Sequence, residues 1–225
     1  MAISVRTDSL SYTYRRRLRT ATASIVKLDI VLALLLKAQR EGRRLTAREK
    51  TLAERAITVS DNDAATALWY MIGGSDGLAA ANRLLGLRAT EPGPGGAWGS
   101  TTTTVTDQIR LLTALTSGHS RIRPANRRYV RGLMADVVPE QAWGVSASAD
   151  SDFGVALKNG WLPRDAHGGL WTINSVGLVR AHGRTYMIAA ISERHPSMRD
   201  GITTLEHVTR MVTSALAPSR HDLDV

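Results

Sequence analysis

The chain has 225 residues, 43% of them hydrophobic, and carries a formal net charge of +9. This length and composition predict a soluble globular protein that is large enough to bury a real core. The longest apolar stretch, Ile30 to Leu36, is far too short to cross a bilayer, which excludes a membrane-spanning helix, and the lack of cysteine excludes disulfides, thiol catalysis and thiolate metal sites.

The positive charge comes mainly from arginine, with clusters in residues 15–19 and 121–131. Such a field attracts anions, but no nucleic-acid-binding motif accompanies it, so we expect no nucleic-acid partner. An anionic polymer or a small substrate with a carboxylate suits the same field. The histidines, among them His221, show no metal-ligand spacing, and neither a metal nor another cofactor is expected.

Taken in chain order, residues 2–15 predict two strands around a polar turn, because apolar and polar residues alternate. Residues 24–40 predict a helix that is apolar on nearly all sides and therefore central. The helix in SDGLAAANRLL is expected to begin at a Ser75 cap and to stop at Gly86. Further helices are predicted in TAREKTLAERAI, DNDAATALWYMI, TVTDQIRLLTALTS and PANRRYVRGLMAD.

The sequence pattern changes after residue 150. Alternating and β-branched residues predict three consecutive strands in FGVALKNGW, LWTINSVGLVRA and RTYMIAAISE, followed by a closing helix in DGITTLEHVTRMVTSAL. Strands at the two ends of the chain are expected to share one antiparallel sheet, while the helices between them form a separate lobe. The predicted fold class is therefore α+β.

The first chemical motif is S-x-x-K, formed by Ser24 and Lys27 at the start of the central helix. A spacing of three places both side chains on one face of a helix. A serine hydroxyl becomes a strong nucleophile when a neighbour takes its proton, and a neutral lysine can do so if burial and a second cation lower its pKa. The alternative is a capping serine beside a lysine that reaches to solvent.

Two further motifs follow along the chain. Ser60-Asp61-Asn62 precedes a predicted helix, and by itself it is also typical of an ordinary N-cap. Lys158-Asn159-Gly160 would normally mark a turn, yet it lies inside a predicted strand, between GVAL and Trp161.

In this order the three motifs resemble those of the serine penicillin-recognising enzymes, the class A β-lactamases and penicillin-binding proteins, whose set is S-x-x-K, S-D-N and K-T-G. The resemblance runs from about Ser11 to Ala217. It implies a β-lactamase/transpeptidase-like fold, with a five-stranded antiparallel sheet built from both chain ends, flanked by helices, and a reduced all-helical lobe. It implies one domain, 1–225, with a sheet lobe at about 1–23 and 153–225 and a helical lobe at about 24–152.

The resemblance also implies catalytic roles. Ser24 would be the nucleophile that forms an acyl-enzyme, and Lys27 a candidate base for it. Ser60 would relay a proton between Lys27, Lys158 and the leaving nitrogen, and Lys158 would attract a substrate carboxylate. The backbone N–H groups of Ser24 and Trp161 would form the oxyanion hole.

The implied substrate-binding residues are Asn62, Asn159, Gly160 and Trp161. Asn62 would hold the lysine of the first motif or the substrate amide. Asn159 stands where the family has threonine, and its amide can still donate to a substrate carboxylate. Gly160 would let the substrate lie close to the strand.

Glu91 is the doubtful member of the predicted catalytic set. It resembles the family's Glu-Pro, whose glutamate activates the deacylating water, but Gly95 stands where the family has the partner asparagine. The glycines of residues 93–96 are expected to make this shortened loop flexible and poor at holding a water. A solvated loop carboxylate is the favoured interpretation of Glu91.

We expect a serine hydrolase that acts on an amide or ester, either a β-lactam or a cell-wall-peptide-like compound, through an acyl-Ser24 intermediate. Its activity as a β-lactamase is expected to be weak. The alternatives are a D,D-peptidase or esterase, and a penicillin-binding sensor or scaffold without turnover. The partner would be a small-molecule or peptide substrate with a carboxylate; the oligomeric state stays open. Export to the periplasm, cell envelope or medium is expected, with the leader outside this sequence, and a cytoplasmic location stays open.

Overall fold

The structure, a computed structural model, describes residues 1–151 and 154–217. Three parts of the sequence predictions lie outside the described residues: the first residue of the predicted strand FGVALKNGW, His221 and the end of the predicted sheet lobe. The strands within the described part are β1 (Ala2–Arg6), β2 (Ser11–Tyr14), β3 (Thr20–Ala21), β4 (Thr102–Thr103), β5 (Val155–Pro163), β6 (Trp171–Ala181) and β7 (Arg184–His195).

One antiparallel sheet joins the two ends of the chain, as predicted. In the described residues it has five strands in the order β2-β1-β7-β6-β5, with β1 paired to β7. β5 is therefore an edge strand. β3 and β4, which the sequence analysis missed, form a separate two-stranded pair through Thr20↔Thr103 and Ala21↔Thr102.

Helices fill the middle of the chain and close its described end. They are α1 (Val26–Arg40), α2 (Ala47–Thr58), α3 (Asn62–Ile72), α4 (Gly74–Leu85), α5 (Val105–Thr116), α6 (Pro124–Ala135) and α7 (Met198–Ala215). The predicted Ser75 cap of α4 is wrong: the N-cap is Gly73, and the Ser75 hydroxyl donates to the Gly93 carbonyl at 2.7 Å instead. No helix of the described residues combines the length and the apolarity needed to cross a membrane.

α1 is the central helix, as its apolar sequence predicts. Its residues from Val26 to Leu36 are all buried, because α3 and α4 pack on it and its apolar side chains belong to one cluster with those of α5, α6 and one face of the sheet. A second apolar cluster, with Ile3, Ile188 and Leu205 among its members, lies on the other face of the sheet beneath α7. The turn that leads into α1 packs against the edge strand β5. The three motifs predicted from the sequence meet at this place.

Candidate active site

Ser24 lies at the junction of α1 and the sheet. It occupies a 3-10 turn, Ala23–Ile25, directly before α1, and its side chain is half-buried. Ala23 has φ 48°, a left-handed conformation that is strained for a residue with a Cβ. Strained residues are typical of functional sites, and here the strained Ala23 belongs to the turn that positions the Ser24 side chain.

Gly160 brings β5 against this turn. A Cβ added at Gly160 would lie 2.6 Å from the Ser24 nitrogen and 2.7 Å from both the Ile25 nitrogen and the Thr22 carbonyl oxygen. Only glycine fits such an approach. The sequence analysis expected Gly160 to make room for substrate; in the structure the position of its absent side chain faces the nucleophile turn.

The hydrogen-bond pattern of β5 sets the direction of the Trp161 N–H. The Arg180 N–H donates to the Gly154 carbonyl at one end of the β5–β6 ladder, and the Arg164 N–H donates to the Leu170 carbonyl at the other. Antiparallel pairs alternate, so even-numbered residues of β5 bond to β6 while odd-numbered ones direct N–H and C=O to the free edge. The Trp161 N–H therefore points off the sheet edge that packs against the Ser24 turn.

Lys27 is fully buried one helical turn after Ser24. Its Nζ donates to the Ser60 carbonyl, to Ser60 Oγ at 3.1 Å and to Asn62 Oδ1 at 2.8 Å. These acceptors satisfy all three protons of an ammonium group. Asn62 thus takes the role of holding the lysine that the resemblance implied for it.

Lys158 reaches the same serine from the sheet. Its Nζ donates to Ser60 Oγ at 2.9 Å and to the Asn159 carbonyl at 2.8 Å, and the side chain is buried. Ser60 Oγ therefore accepts from two lysines, Lys27 and Lys158. Both of its lone pairs are used, which leaves its own proton free to be donated elsewhere.

The Ser60-Asp61-Asn62 segment caps a helix and also contacts Lys27. Asp61 is the N-cap of α3, with its carboxylate accepting from the Ala64 N–H at 2.8 Å. Ser60 and Asn62, on either side of it, bind Lys27. Ser60 has φ 57°, so the turn that aims its hydroxyl at the lysines is a second strained position.

Burial makes both lysines easier to deprotonate. It lowers the pKa of Lys27 to about 8, with the nearby Asp61 carboxylate acting in the opposite direction. Burial also lowers the pKa of Lys158 well below its usual value, and the charge of Lys27 lowers it further. A lysine with a pKa of about 8 has a useful neutral fraction near neutral pH, so it can accept a proton.

The structure does not bring the Asn159 amide into this cluster. Successive side chains of a strand alternate in direction, so Asn159 points away from Lys158. Its Nδ2 donates to the carbonyls of Gln141 at 2.7 Å and Trp143 at 2.9 Å, which uses both amide protons. The Trp161 ring packs edge-on against Trp143, with centroids 5.7 Å apart, so Trp161 offers the cleft its backbone.

Glu91 also stays outside the cluster. Its side chain is 71% exposed and pairs with Arg19 at 2.8 Å, and its backbone forms a bridge to Thr102. The residue beside Lys27 is instead Trp98, whose ring centroid lies 5.0 Å from Nζ. Nothing in the sequence around Trp98, which follows Glu91 by seven residues, predicts that Trp98 contacts Lys27.

Comparisons with known proteins agree with this architecture. A family model described as "Beta-lactamase enzyme family" matches residues 36–216. A Mycobacterium tuberculosis protein named "Putative lipoprotein LppW" is 29% identical over 210 residues, which cover 89% of this chain and 63% of that protein. A Mycobacterium bovis protein of the same name matches equally. The chain thus spans under two-thirds of the length of these curated relatives.

Solved structures extend the likeness to the whole fold. A variant of the reconstructed last common ancestor of Gram-negative class A β-lactamases superposes with a TM-score of 0.80 at 22% identity, covering 96% of this chain and 92% of that one. A β-lactamase from Xanthomonas campestris also gives 0.80, at 19% identity, over 96% and 91% of the two chains. These matches confirm the predicted fold class. Because the family model matches residues 36–216, which are most of the chain, the chain belongs to the β-lactamase enzyme family.

Proposed function

We propose that the protein is a serine hydrolase that acts on an amide or ester through an acyl-Ser24 intermediate. One observation carries the proposal: Ser60 Oγ is held by both Lys27 and Lys158, and Lys27 lies one helical turn after Ser24. Two buried lysines around one hydroxyl are costly unless they move protons or bind an anion.

The proposed acylation step uses Lys27, Ser60 and two backbone N–H groups. Neutral Lys27 takes the Ser24 proton as Oγ attacks the substrate carbonyl, and the Ser24 and Trp161 N–H groups stabilise the oxyanion. The tetrahedral intermediate then collapses, and the leaving nitrogen or oxygen receives the Ser60 proton, which a lysine replaces. The bond from Ser24 Oγ to the acyl carbon has formed, and the bond to the leaving group has broken.

We expect the substrate to carry a carboxylate near the scissile bond. Lys158 is a buried lysine at the sheet edge, and a substrate carboxylate would stabilise its protonated form, which burial disfavours. The net charge of +9 also attracts anions to the whole molecule. β-Lactams and D-alanyl peptides both combine a carboxylate with a reactive amide. Lys158→Ala should slow acylation by a carboxylate substrate, by about 1.5–3 kcal/mol for one lost charged hydrogen bond, more than acylation by a neutral ester.

Deacylation is expected to be slow. The candidate base Glu91 is exposed and paired with Arg19, so it lacks the fixed orientation that makes general-base catalysis worth about 10²–10⁴-fold. The same observation supports the second candidate, a penicillin-binding sensor or scaffold that is acylated without turnover. D,D-peptidase or esterase activity stays open within the leading proposal.

Intact-mass spectrometry tests the proposal. The chain is mixed with penicillin, a chromogenic cephalosporin or a D-alanyl thioester, and the adduct is followed over minutes beside a Ser24→Ala control. A single adduct on Ser24 that accumulates and then clears supports hydrolysis, whereas one that never clears supports the sensor. An adduct that persists in Ser24→Ala, or neither an adduct nor hydrolysis with any probe, would sink the assignment.

We also propose a location in the cell envelope. The longer mycobacterial relatives are named as lipoproteins, and the expected substrates are cell-wall precursors or the antibiotics that mimic them. Fractionation of cells that make the full-length natural protein tests this. Recovery in the cytosolic fraction alone would contradict it.

A further inference from the structure

Trp98 occupies the flank of the reactive cluster. It begins a 3-10 turn, Trp98–Ser100, that packs against the turn carrying Ser24. Its ring centroid lies 5.0 Å from Lys27 Nζ, and its Nε1 donates to Thr66 Oγ1 on α3 at 3.1 Å. The indole is therefore held at both its ring face and its only polar atom.

The loop that carries Trp98 is fixed by side chains on both sides. Trp69 Nε1 donates to the Gly95 carbonyl at 2.9 Å, and the Ser75 hydroxyl donates to the Gly93 carbonyl at 2.7 Å. The Gly93 N–H in turn donates to Thr101 Oγ1 at 3.0 Å. Gly93 allows this close packing, since a Cβ there would lie 2.1 Å from the Ala97 carbonyl oxygen, whereas a Cβ at Gly95 would meet nothing within 4 Å.

An indole in this place has two chemical effects. Its negative ring face stabilises the charged form of Lys27. Its apolar surface offers a water molecule no hydrogen-bond partner, and a bound water needs two to four of them. The nearby carboxylates are engaged elsewhere, Asp61 with Arg55 and the α3 N-terminus, and Glu91 with Arg19.

We propose that Trp98 is a positioning residue that holds Lys27 and shields acyl-Ser24 from water, and so sets the lifetime of the acyl-enzyme. The inference rests on the proposed acyl-Ser24 chemistry. In hydrolysis, a water oxygen bonds to the acyl carbon, the bond from that carbon to Ser24 Oγ breaks, and one water proton returns to the serine. The indole opposes the first of these events by excluding the attacking water from the flank of Lys27.

Three substitutions separate the two effects. Trp98→Phe keeps an aromatic face and a barrier; Trp98→Leu keeps a barrier without the π face; Trp98→Ala removes both. Trp171→Leu, at the start of β6, is the matched control for losing a tryptophan. Each variant is acylated with penicillin, the adduct is followed by intact mass, and thermal unfolding checks that the variant is folded.

We expect Trp98→Ala to shorten the adduct half-life by about tenfold, which corresponds to about 1.4 kcal/mol of barrier. Trp98→Phe and Trp171→Leu should leave the half-life unchanged. Trp98→Leu should keep a long half-life but lower the pH midpoint of acylation by about one pH unit, because no aromatic ring face then stabilises the protonated form of Lys27. An unchanged half-life in Trp98→Ala would overturn the shielding role, and an unchanged midpoint in Trp98→Leu would overturn the positioning role. If Trp98→Ala does not fold, Trp98→Gln tests the shielding instead: its polar side chain offers water a partner, so the half-life should again shorten, and an unchanged half-life would overturn that role.

Failure of the proposed function gives a different result. If the natural chain is not acylated by any probe, acyl-Ser24 chemistry is wrong and the shielding role falls with it. The contact with Lys27 is still measurable, because the chain has only four lysines, Lys27, Lys37, Lys50 and Lys158, and a ¹³C-lysine NMR titration resolves them. A Lys27 midpoint that does not fall in Trp98→Leu would refute the positioning role as well.

Discussion

Lys27 and Lys158 bind the same oxygen atom, Ser60 Oγ, from a helix and a strand, at 3.1 and 2.9 Å. Two buried ammonium groups on one hydroxyl repel each other, and burial already disfavours charge at each of them. Protonation of one lysine is therefore coupled to protonation of the other. Three predictions concern this cluster, one concerns the buried Asp29 and one concerns the exposed Glu91.

Acylation should speed up as the pH rises toward 8. Burial lowers the pKa of Lys27 to about 8, so its neutral, proton-accepting fraction grows about tenfold per pH unit below that value and levels off above it. A neutral ester substrate isolates this effect from the charge of Lys158. Stopped-flow acylation between pH 6 and 9.5 measures it, and a rate that falls across this range would exclude Lys27 as the base.

Removing the shared hydroxyl should abolish most activity. Ser60→Ala and Ser60→Gly both delete Oγ, and each should lower the acylation rate by about 10²–10⁴-fold, the usual worth of acid–base relay. Ser60 has φ 57°, so the glycine variant should be more stable than the alanine variant by about 1 kcal/mol. Equal stability would mean that the turn relaxes. Near-normal acylation in both variants would contradict the relay.

Gly160→Ala should damage both stability and activity. The new methyl group would meet the Ser24 and Ile25 nitrogens and the Thr22 carbonyl at 2.6–2.7 Å, so β5 and the nucleophile turn must move apart. We expect a loss of about 1–3 kcal/mol in unfolding free energy and a larger relative loss of acylation. Gly132→Ala, at an open position in α6, is the control and should gain up to about 1 kcal/mol. Normal acylation in Gly160→Ala would show that the close approach is dispensable.

Asp29→Asn should change how stability depends on pH. Asp29 is buried in α1, and burial, with the Asp107 carboxylate nearby, raises its pKa to about 8, while Gln108 acts in the opposite direction. A raised folded-state pKa gives stability that is complete below about pH 4 and is lost as the pH rises through about 8. The difference in unfolding free energy between Asp29→Asn and the natural chain should therefore grow with pH in that window, by on the order of 1.4 kcal/mol per pH unit.

Urea denaturation at pH 4, 6 and 8 measures this difference. Asp63→Asn, which alters an exposed carboxylate on α3, is the control for the loss of a carboxylate. A flat difference for Asp29→Asn would mean that the buried carboxyl is charged at all three pH values.

Glu91→Gln should leave the clearance of the adduct unchanged. The Glu91 side chain is 71% exposed and bonded to Arg19, and an exposed ion pair contributes about 0–1 kcal/mol to stability. Arg19→Gln, which removes the other partner, should behave alike. If the natural chain instead hydrolyses penicillin quickly and Glu91→Gln traps the adduct, Glu91 is the deacylating base and the loop moves on substrate binding.

Local pattern in the sequence was enough for most of the fold. The alternation in residues 2–15 and the three late strands predicted a sheet built from both chain ends, and the continuous apolar surface of α1 predicted its central position. The short pair β3 and β4 escaped prediction, because two residues are too few to show a period. The cap of α4 was misassigned because Ser75 has a stronger partner, the Gly93 carbonyl, which is distant in sequence.

For the site, the sequence by itself determined what lies within one helical turn. The spacing of three predicted that Ser24 and Lys27 are neighbours, and Ser24 lies in the 3-10 turn that leads into α1 while Lys27 lies in the first turn of α1. Contacts across the chain depended on tertiary structure. Ser60 and Lys158 are 98 positions apart, and no periodicity in the segment between them encodes their 2.9 Å hydrogen bond, so only the family resemblance suggested it. The β5–β6 register turned Asn159 away from the cleft, and the path of one loop placed Trp98 rather than Glu91 beside Lys27, because side-chain direction follows from pairing and packing, which no local pattern specifies.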